Sequence, residues 1–256
     1  MRIVFPALLV MSLLILNASA YFNVTYLNAT VTLNSNGSAH VDEALNLFIS
    51  NSSIAQYQQD RQAINFTLSK WQSALQTTLL VEHILNPKSS VYDFTFLPGP
   101  INYALKNASA QLTLSYDVSN VTTISNIAPR KFLYTFNDSV FNFVHTASGQ
   151  SLSQIMRLNI RVPKGAEIVA ISPAPDFPPP GFVANYTGYT QFSWYSAESL
   201  SGLAFSYVTT QSLGQEVSTF FTRIYNGYGA LVLLSIIIII VAIVAYLYLK
   251  VSNTKV

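Results

Sequence analysis

Ala110-Gln-Leu-Thr-Leu-Ser-Tyr-Asp-Val118 alternates without a break, with Leu112, Leu114, Tyr116 and Val118 on one side and Gln111, Thr113, Ser115 and Asp117 on the other. Successive side chains of a strand point to opposite faces, so this stretch predicts a β-strand with one apolar and one polar face. Leu158, Ile160 and Val162 alternate with Asn159 and Arg161 in the same way. Pro163-Lys164-Gly165 then turns the chain, and Glu167–Ile171 follows as the next strand. Towards the start, Val24, Tyr26, Val31 and Leu33, followed by Val41–Ile49, read as a hairpin around Asn34–Ser38. Phe192 and Trp194, then Leu203, Phe205 and Tyr207, read as a second hairpin across Ser196–Gly202.

One stretch has a different period. Ile54, Tyr57, Ile64, Leu68, Trp71 and Leu75 follow three- and four-residue spacing, with Arg61 in the remaining slot. This predicts an amphipathic helix near 53–76, or two short helices interrupted near Asn65, laid on a sheet. Ser172-Pro-Ala-Pro-Asp-Phe-Pro-Pro-Pro-Gly-Phe182 holds five of the 11 prolines and predicts an extended, polyproline-like loop.

The two ends predict topology. Met1–Ala20 reads as a secretory signal: Arg2, a short apolar stretch, then Ala18-Ser19-Ala20 as the cleavage motif. An uncleaved signal anchor is the alternative. Ala230–Leu249 is apolar except for Ser235, long enough at about 1.5 Å per residue to cross a bilayer core of roughly 30 Å. Tyr225 and Tyr228 flank one end and Tyr246 and Tyr248 the other, as an aromatic belt does. Lys250 and Lys255 put the tail in the cytoplasm by the positive-inside rule. The expected organisation is a signal (1–20), a β-rich region with the helical insertion (21–125) and a second β-rich region (126–213) that forms one body with the first or stands apart. A juxtamembrane connector (214–228), a transmembrane helix (229–249) and a cytoplasmic tail (250–256) complete it. The fold class is mainly β, a β-sandwich-like ectodomain.

Composition narrows the function. Of 256 residues, 50% are hydrophobic and 9% charged, with a net charge of +2 and no cysteine. Such a chain is not disordered, offers no phosphate-neutralising patch for nucleic acid, and has no disulfide or thiol chemistry. After the signal segment, Asn-x-Ser/Thr occurs at Asn23, Asn28, Asn36, Asn51, Asn65, Asn107, Asn120, Asn137 and Asn185. Nine sequons exceed the roughly three or four expected by chance from the Ser and Thr content, which predicts a glycosylated ectodomain. Asn23 and Thr25 lie opposite Val24 and Tyr26, on a face where a glycan fits.

No motif carries chemistry. His40, His83 and His145 lack metal-ligand spacing, and no nucleophile elbow, phosphate loop or dinucleotide fingerprint occurs. The only adjacent carboxylates, Asp42 and Glu43, point to opposite faces of a strand. No catalytic residue, metal or cofactor is expected, and the protein is read as a non-enzyme.

A short signal, no Cys, few charges, many Tyr, Ser, Thr and Asn, dense sequons and one C-terminal span resemble single-span cell-surface glycoproteins of thermoacidophilic archaea. That resemblance is compositional; it names no family and assigns no residue a role. It implies a surface hydrated by neutral groups, since carboxylates lose their charge in acid.

The expected function is a type I, single-pass protein of the cell membrane with an extracellular, non-catalytic ectodomain for envelope structure, adhesion or binding. An accessory subunit of a membrane transport or secretion complex is the alternative, and a surface hydrolase the second. Two finer expectations follow. Glu43 falls on the apolar face of Val41–Ile49 and Arg61 in the apolar helical stripe, so the two form an ion pair if the helix covers that sheet. The Asn137–Asn185 interval holds no sequon, which makes Asp176, Phe177 and Phe182 of the Pro-rich loop a partner-binding surface.

Overall fold

The computed structural model describes residues 22–63, 68–75, 85–86, 88–142, 144–146, 149–181, 186–195, 200 and 203–253. The signal segment, Asn65, His83, Phe182, Asn185 and the 196–199 loop lie outside these residues.

The chain is mainly β. The first elements are β1 (Phe22–Leu33), β2 (Ala39–Ser50), the helices α1 (Ile54–Gln62) and α2 (Leu68–Ala74), and β3 (Val91–Pro98). Next come β4 (Asn102–Tyr103), β5 (Asn107–Val118), β6 (Thr122–Ala128), β7 (Lys131–Phe136), β8 (Val144–Thr146) and β9 (Gly149–Ser151). The last are β10 (Met156–Arg161), β11 (Glu167–Ser172), β12 (Gln191–Trp194), β13 (Ala204–Thr210) and the helix α3 (Leu213–Asn253). A seven-stranded sheet has the order β12-β10-β1-β2-β5-β3, with β4 also paired to β5. A four-stranded sheet has the order β11-β13-β7-β6, and β8 pairs with β9. By compactness the chain divides into Met1–Ser125 with Leu133–Val208, and Asn126–Phe132 with Thr209–Val256.

The alternation of Ala110–Val118 builds the centre of the large sheet. Leu112, Leu114, Tyr116 and Val118 are wholly buried, and the β2–β5 register sets them opposite Leu45, Glu43, Val41 and Ala39. The hairpin around Asn34–Ser38 forms between β1 and β2. Gly37 closes its turn with φ +85°, and a Cβ there would stand 2.9 Å from the Thr122 carbonyl oxygen. Val24 and Tyr26, expected in the core, are only half-buried. A bulge between them shifts the alternation by one residue: Val24 stays opposite Leu47, Tyr26 turns to the outer face opposite Asn46, and Phe22, Leu27, Ala29, Val31 and Leu33 bury the inner face. The expected hairpin across Ser196–Gly202 is corrected as well. β12 pairs antiparallel with β10 in the large sheet, whereas β13 pairs with β11 in the other. Their side chains still meet: Phe192 packs edge-on against Phe205 at 5.5 Å.

The helical insertion covers one end of the large sheet. Tyr57 and Trp71 are buried, at 5.5 Å from one another, with Phe22 of β1 against Tyr57 and Phe96 of β3 against Trp71. The Tyr57 hydroxyl donates to the Gly99 carbonyl at 2.9 Å.

The Pro-rich segment is not a free extended loop. Asp176 and Phe177 both donate their N–H to the Ser193 carbonyl, at 2.9 and 3.2 Å, and the Ser193 N–H returns to Phe177 at 2.8 Å. The Asp176 carboxylate accepts the Tyr195 N–H at 2.7 Å. Between prolines, these two residues hold backbone donors that can reach the open edge of β12, and they cover it.

The expected connector 214–228 is helical, the first part of α3. Gly229 alone interrupts that helix, with φ 78° and ψ 170°. Among the described residues no helix is long and apolar enough to cross a membrane.

Candidate functional site

The even positions of β2 and the odd positions of β5 share the outer, polar face of the large sheet. The register sets His40 opposite Asp117 and Asp42 opposite Ser115. His40 Nδ1 lies 2.7 Å from Asp117 Oδ1, Ser115 Oγ lies 3.0 Å from His40 Nε2, and Asp42 Oδ1 approaches that same nitrogen at 3.4 Å. This is a Ser–His–Asp hydrogen-bonded chain with a second carboxylate beside it.

The Asp117 hydrogen bond, against some burial and with help from the Asp42 charge, raises the His40 pKa above its ordinary 6.5. A protonated His40 gives one N–H to Asp117 and the other to the Ser115–Asp42 side. That suits a half-exposed charged tie between two strands better than a general base. Acyl transfer also needs free backbone N–H groups to hold an oxyanion. β5 is flanked by β2 and β3, with Ser115 opposite Asp42 on one side and Thr95 on the other, so its N–H groups are committed to the ladders. The arrangement can hold a proton and stitch the sheet. Among the described residues no group of three His, Asp or Glu side chains has metal-holding geometry.

A second polar cluster lies further along the same face. Asn159, 3% exposed, donates through Nδ2 to Asn28 Oδ1 at 2.9 Å and to the Ala29 carbonyl at 3.1 Å. Its Oδ1 accepts from Ser193 Oγ at 2.7 Å and from Arg157 Nε at 3.0 Å. A buried amide with this many partners is fully engaged, so it fixes the β1–β10–β12 register.

The core acid and the helical arginine go separate ways. Glu43 is wholly buried, and the Tyr116 hydroxyl donates to it. Burial pushes its pKa up to about 8, with the Tyr116 bond pulling the other way. Arg61 is exposed and its Nε donates to the Pro98 carbonyl at 3.3 Å; among the described residues it makes no ion pair. The buried slot in α1 belongs to Asp60, which receives the Gln56 amide at 2.6 Å. The Glu43–Arg61 pairing is therefore replaced by a carboxyl–phenol contact within one sheet.

Of the sequon asparagines, Asn23, Asn36, Asn51, Asn107 and Asn120 are exposed, and Asn28 and Asn137 are half-buried. Asn120 borders a polar cleft of about 340 Å³ lined also by Asn86, Lys88 and Ser139. In the Pro-rich loop Phe177 is 44% exposed and packs edge-on against Tyr189 at 5.9 Å, while Asp176 is turned back onto Tyr195.

The chain matches no known family model and no curated protein.

Proposed function

We propose that the protein is a membrane-anchored, glycosylated cell-surface protein whose β-sandwich-like ectodomain is non-catalytic and serves envelope structure, adhesion or binding. The observation that carries this reading is the second part of α3. From Leu234 to Tyr248 its large apolar side chains are 47–75% exposed, apart from a half-buried Ile236, and they point in every direction. A helix that is apolar all round belongs in hydrocarbon, where helix is the form that satisfies every backbone group. With the flanking apolar residues of the sequence, 229–249 spans the bilayer as a type I anchor.

The exposed sequon asparagines support glycans on the ectodomain, because a bulky sugar needs open surface. Asp176, Phe177 and Phe182 form the partner surface: Phe177 stands out from a backbone already pinned to β12, so binding there costs little ordering.

Protease added to intact cells tests the reading. Loss of 21–228 with survival of a fragment holding the Lys250–Val256 tail is expected. A protected ectodomain overturns it. Phe177→Ser with Phe182→Ser is expected to lower recovery of cross-linked envelope partners at equal surface abundance; unchanged recovery makes the loop a connector only.

A further inference from the structure

The first part of α3 carries a second apolar surface. Leu213, Val217, Phe220, Phe221, Ile224 and Tyr225 recur at three- and four-residue intervals, and at about 100° per residue they fall within an arc of about 140°. Leu213 is 66% exposed, Val217 51%, Phe220 59%, Phe221 39% and Tyr225 56%. The rest of the circumference is polar: Glu216, Ser218, Thr219, Thr222, Arg223 and Asn226 are all exposed on it. No apolar residue strays to the polar side and no charge interrupts the stripe. An unpartnered stripe of this size on a soluble helix demands a covering surface.

We infer that 213–228 is an interfacial helix that lies flat on the outer leaflet, its stripe sunk into the headgroup–acyl boundary. This rests on the anchor reading of 229–249. Three observations select the lipid surface as occupant. The helix that carries the stripe runs, across Gly229, into the all-apolar part of α3, so any bilayer that takes the second part lies beside the first. Gly229 breaks the helix between them with φ 78° and ψ 170°, a backbone region essentially reserved for glycine, and so separates an in-plane from a crossing segment. The hairpin tip Asn126–Phe132 belongs to the same compact unit, tied to the helix entry by the Gln211 N–H on the Arg130 carbonyl at 2.8 Å. That tip presents Ile127, 51% exposed, beside Arg130 and Lys131, an apolar residue with two cations suited to anionic headgroups.

The absence of cysteine makes the test clean. Single cysteines at Leu213, Val217, Phe220 and Ile224, at Ser218, Thr222 and Asn226, and at Ile239 are spin-labelled in the full chain. Each variant is reconstituted into vesicles of phosphatidylcholine and phosphatidylglycerol, and relaxation by oxygen is compared with relaxation by a nickel chelate. The oxygen-to-nickel ratio is expected to be severalfold higher at the stripe positions than at the polar ones, and high at Ile239. High nickel access at the stripe with Ile239 in lipid overturns the interfacial helix and leaves the anchor standing. Protection of the stripe from both reagents overturns it in favour of a protein partner. High nickel access at Ile239 removes the anchor reading itself.

Discussion

The Tyr116 hydroxyl donates a hydrogen bond to the Glu43 carboxyl diagonally across the β2–β5 ladder, and both side chains are wholly buried. Burial disfavours the charged form, so the folded protein keeps a proton on Glu43 up to about pH 8 while the unfolded chain releases it near 4.5. The stability tied to this group is present below its unfolded pKa and is lost as pH rises towards the folded one. The steepest loss is ~1.4 kcal/mol per pH unit. Glu43→Gln keeps the shape and a partner for Tyr116. Thermal unfolding followed from about pH 5 to pH 8 is expected to show the wild-type midpoint falling more steeply than the variant's, which keeps only the His40 contribution. Parallel curves contradict the assignment.

His40 works in the same direction. Its raised pKa means stability that is full below the ordinary 6.5 and lost as pH passes the folded value. Imidazole resonances followed by NMR are expected to titrate above 6.5 in the wild type, and lower in Asp117→Asn, since the Asp117 bond is the largest cause. In the same samples a fluorophosphonate probe is expected to leave Ser115 unlabelled. Covalent labelling there returns the hydrolase reading.

The helical lid is a stability element. Trp71→Ala removes the ring that contacts Phe22, Tyr57 and Phe96 and is expected to cost about 3–5 kcal/mol in chemical unfolding. Gly99→Ala places a Cβ 2.6 Å from the Gln111 carbonyl oxygen, beside the backbone bond that joins them at 2.7 Å, and is expected to cost about 1–3 kcal/mol. A Gly99→Ala midpoint equal to that of the wild type refutes this packing.

Glycan occupancy is expected to differ among sites. Asn28 is half-buried and its Oδ1 is taken by Asn159, so glycopeptide mass spectrometry should find it less occupied than Asn23, Asn36, Asn51, Asn107 and Asn120. Higher occupancy at Asn28 than at those five goes against the prediction.

Much of the β architecture is legible in local alternation. Ala110–Val118 buries one face, as period-two patterning demands, Leu158–Val162 buries its apolar face and Asn159 of the other, and Asn36-Gly37 marks a true turn. What sequence misses is pairing. β12 and β13 are neighbours in the chain, yet each has its partner elsewhere, because apolar patterning specifies a face but not the strand that meets it. The bulge in β1 is hidden because Tyr26 and Leu27 are both apolar, so either one could continue the frame set by Phe22 and Val24. α1 ends at Gln62 with Tyr57 and Asp60 as its buried positions, not Arg61, and the apolar stripe resumes in α2 with Trp71. The His40 cluster needs the β2–β5 register. The polar faces of both strands were readable, but the helices and β3 intervene between them in the chain.

The parallel pairing of β1 with β10 gives Asn28 a deadline. Asn28 and its partner Asn159 lie 131 positions apart, so the amide that occupies Asn28 in the finished fold does not exist when β1 emerges. At a synthesis rate of about 5–20 residues per second, the interval is roughly ten seconds. Until β10 pairs with β1, Asn28 lacks the Asn159 partner that holds it in the finished fold. A sugar transferred in that interval stays; after β10 docks, the Asn28 side chain is engaged. On the proposed glycoprotein reading, occupancy at Asn28 would record a race between modification and the arrival of a distant strand. A substitution that delays β10, such as Asn159→Ala, lets modification win more often.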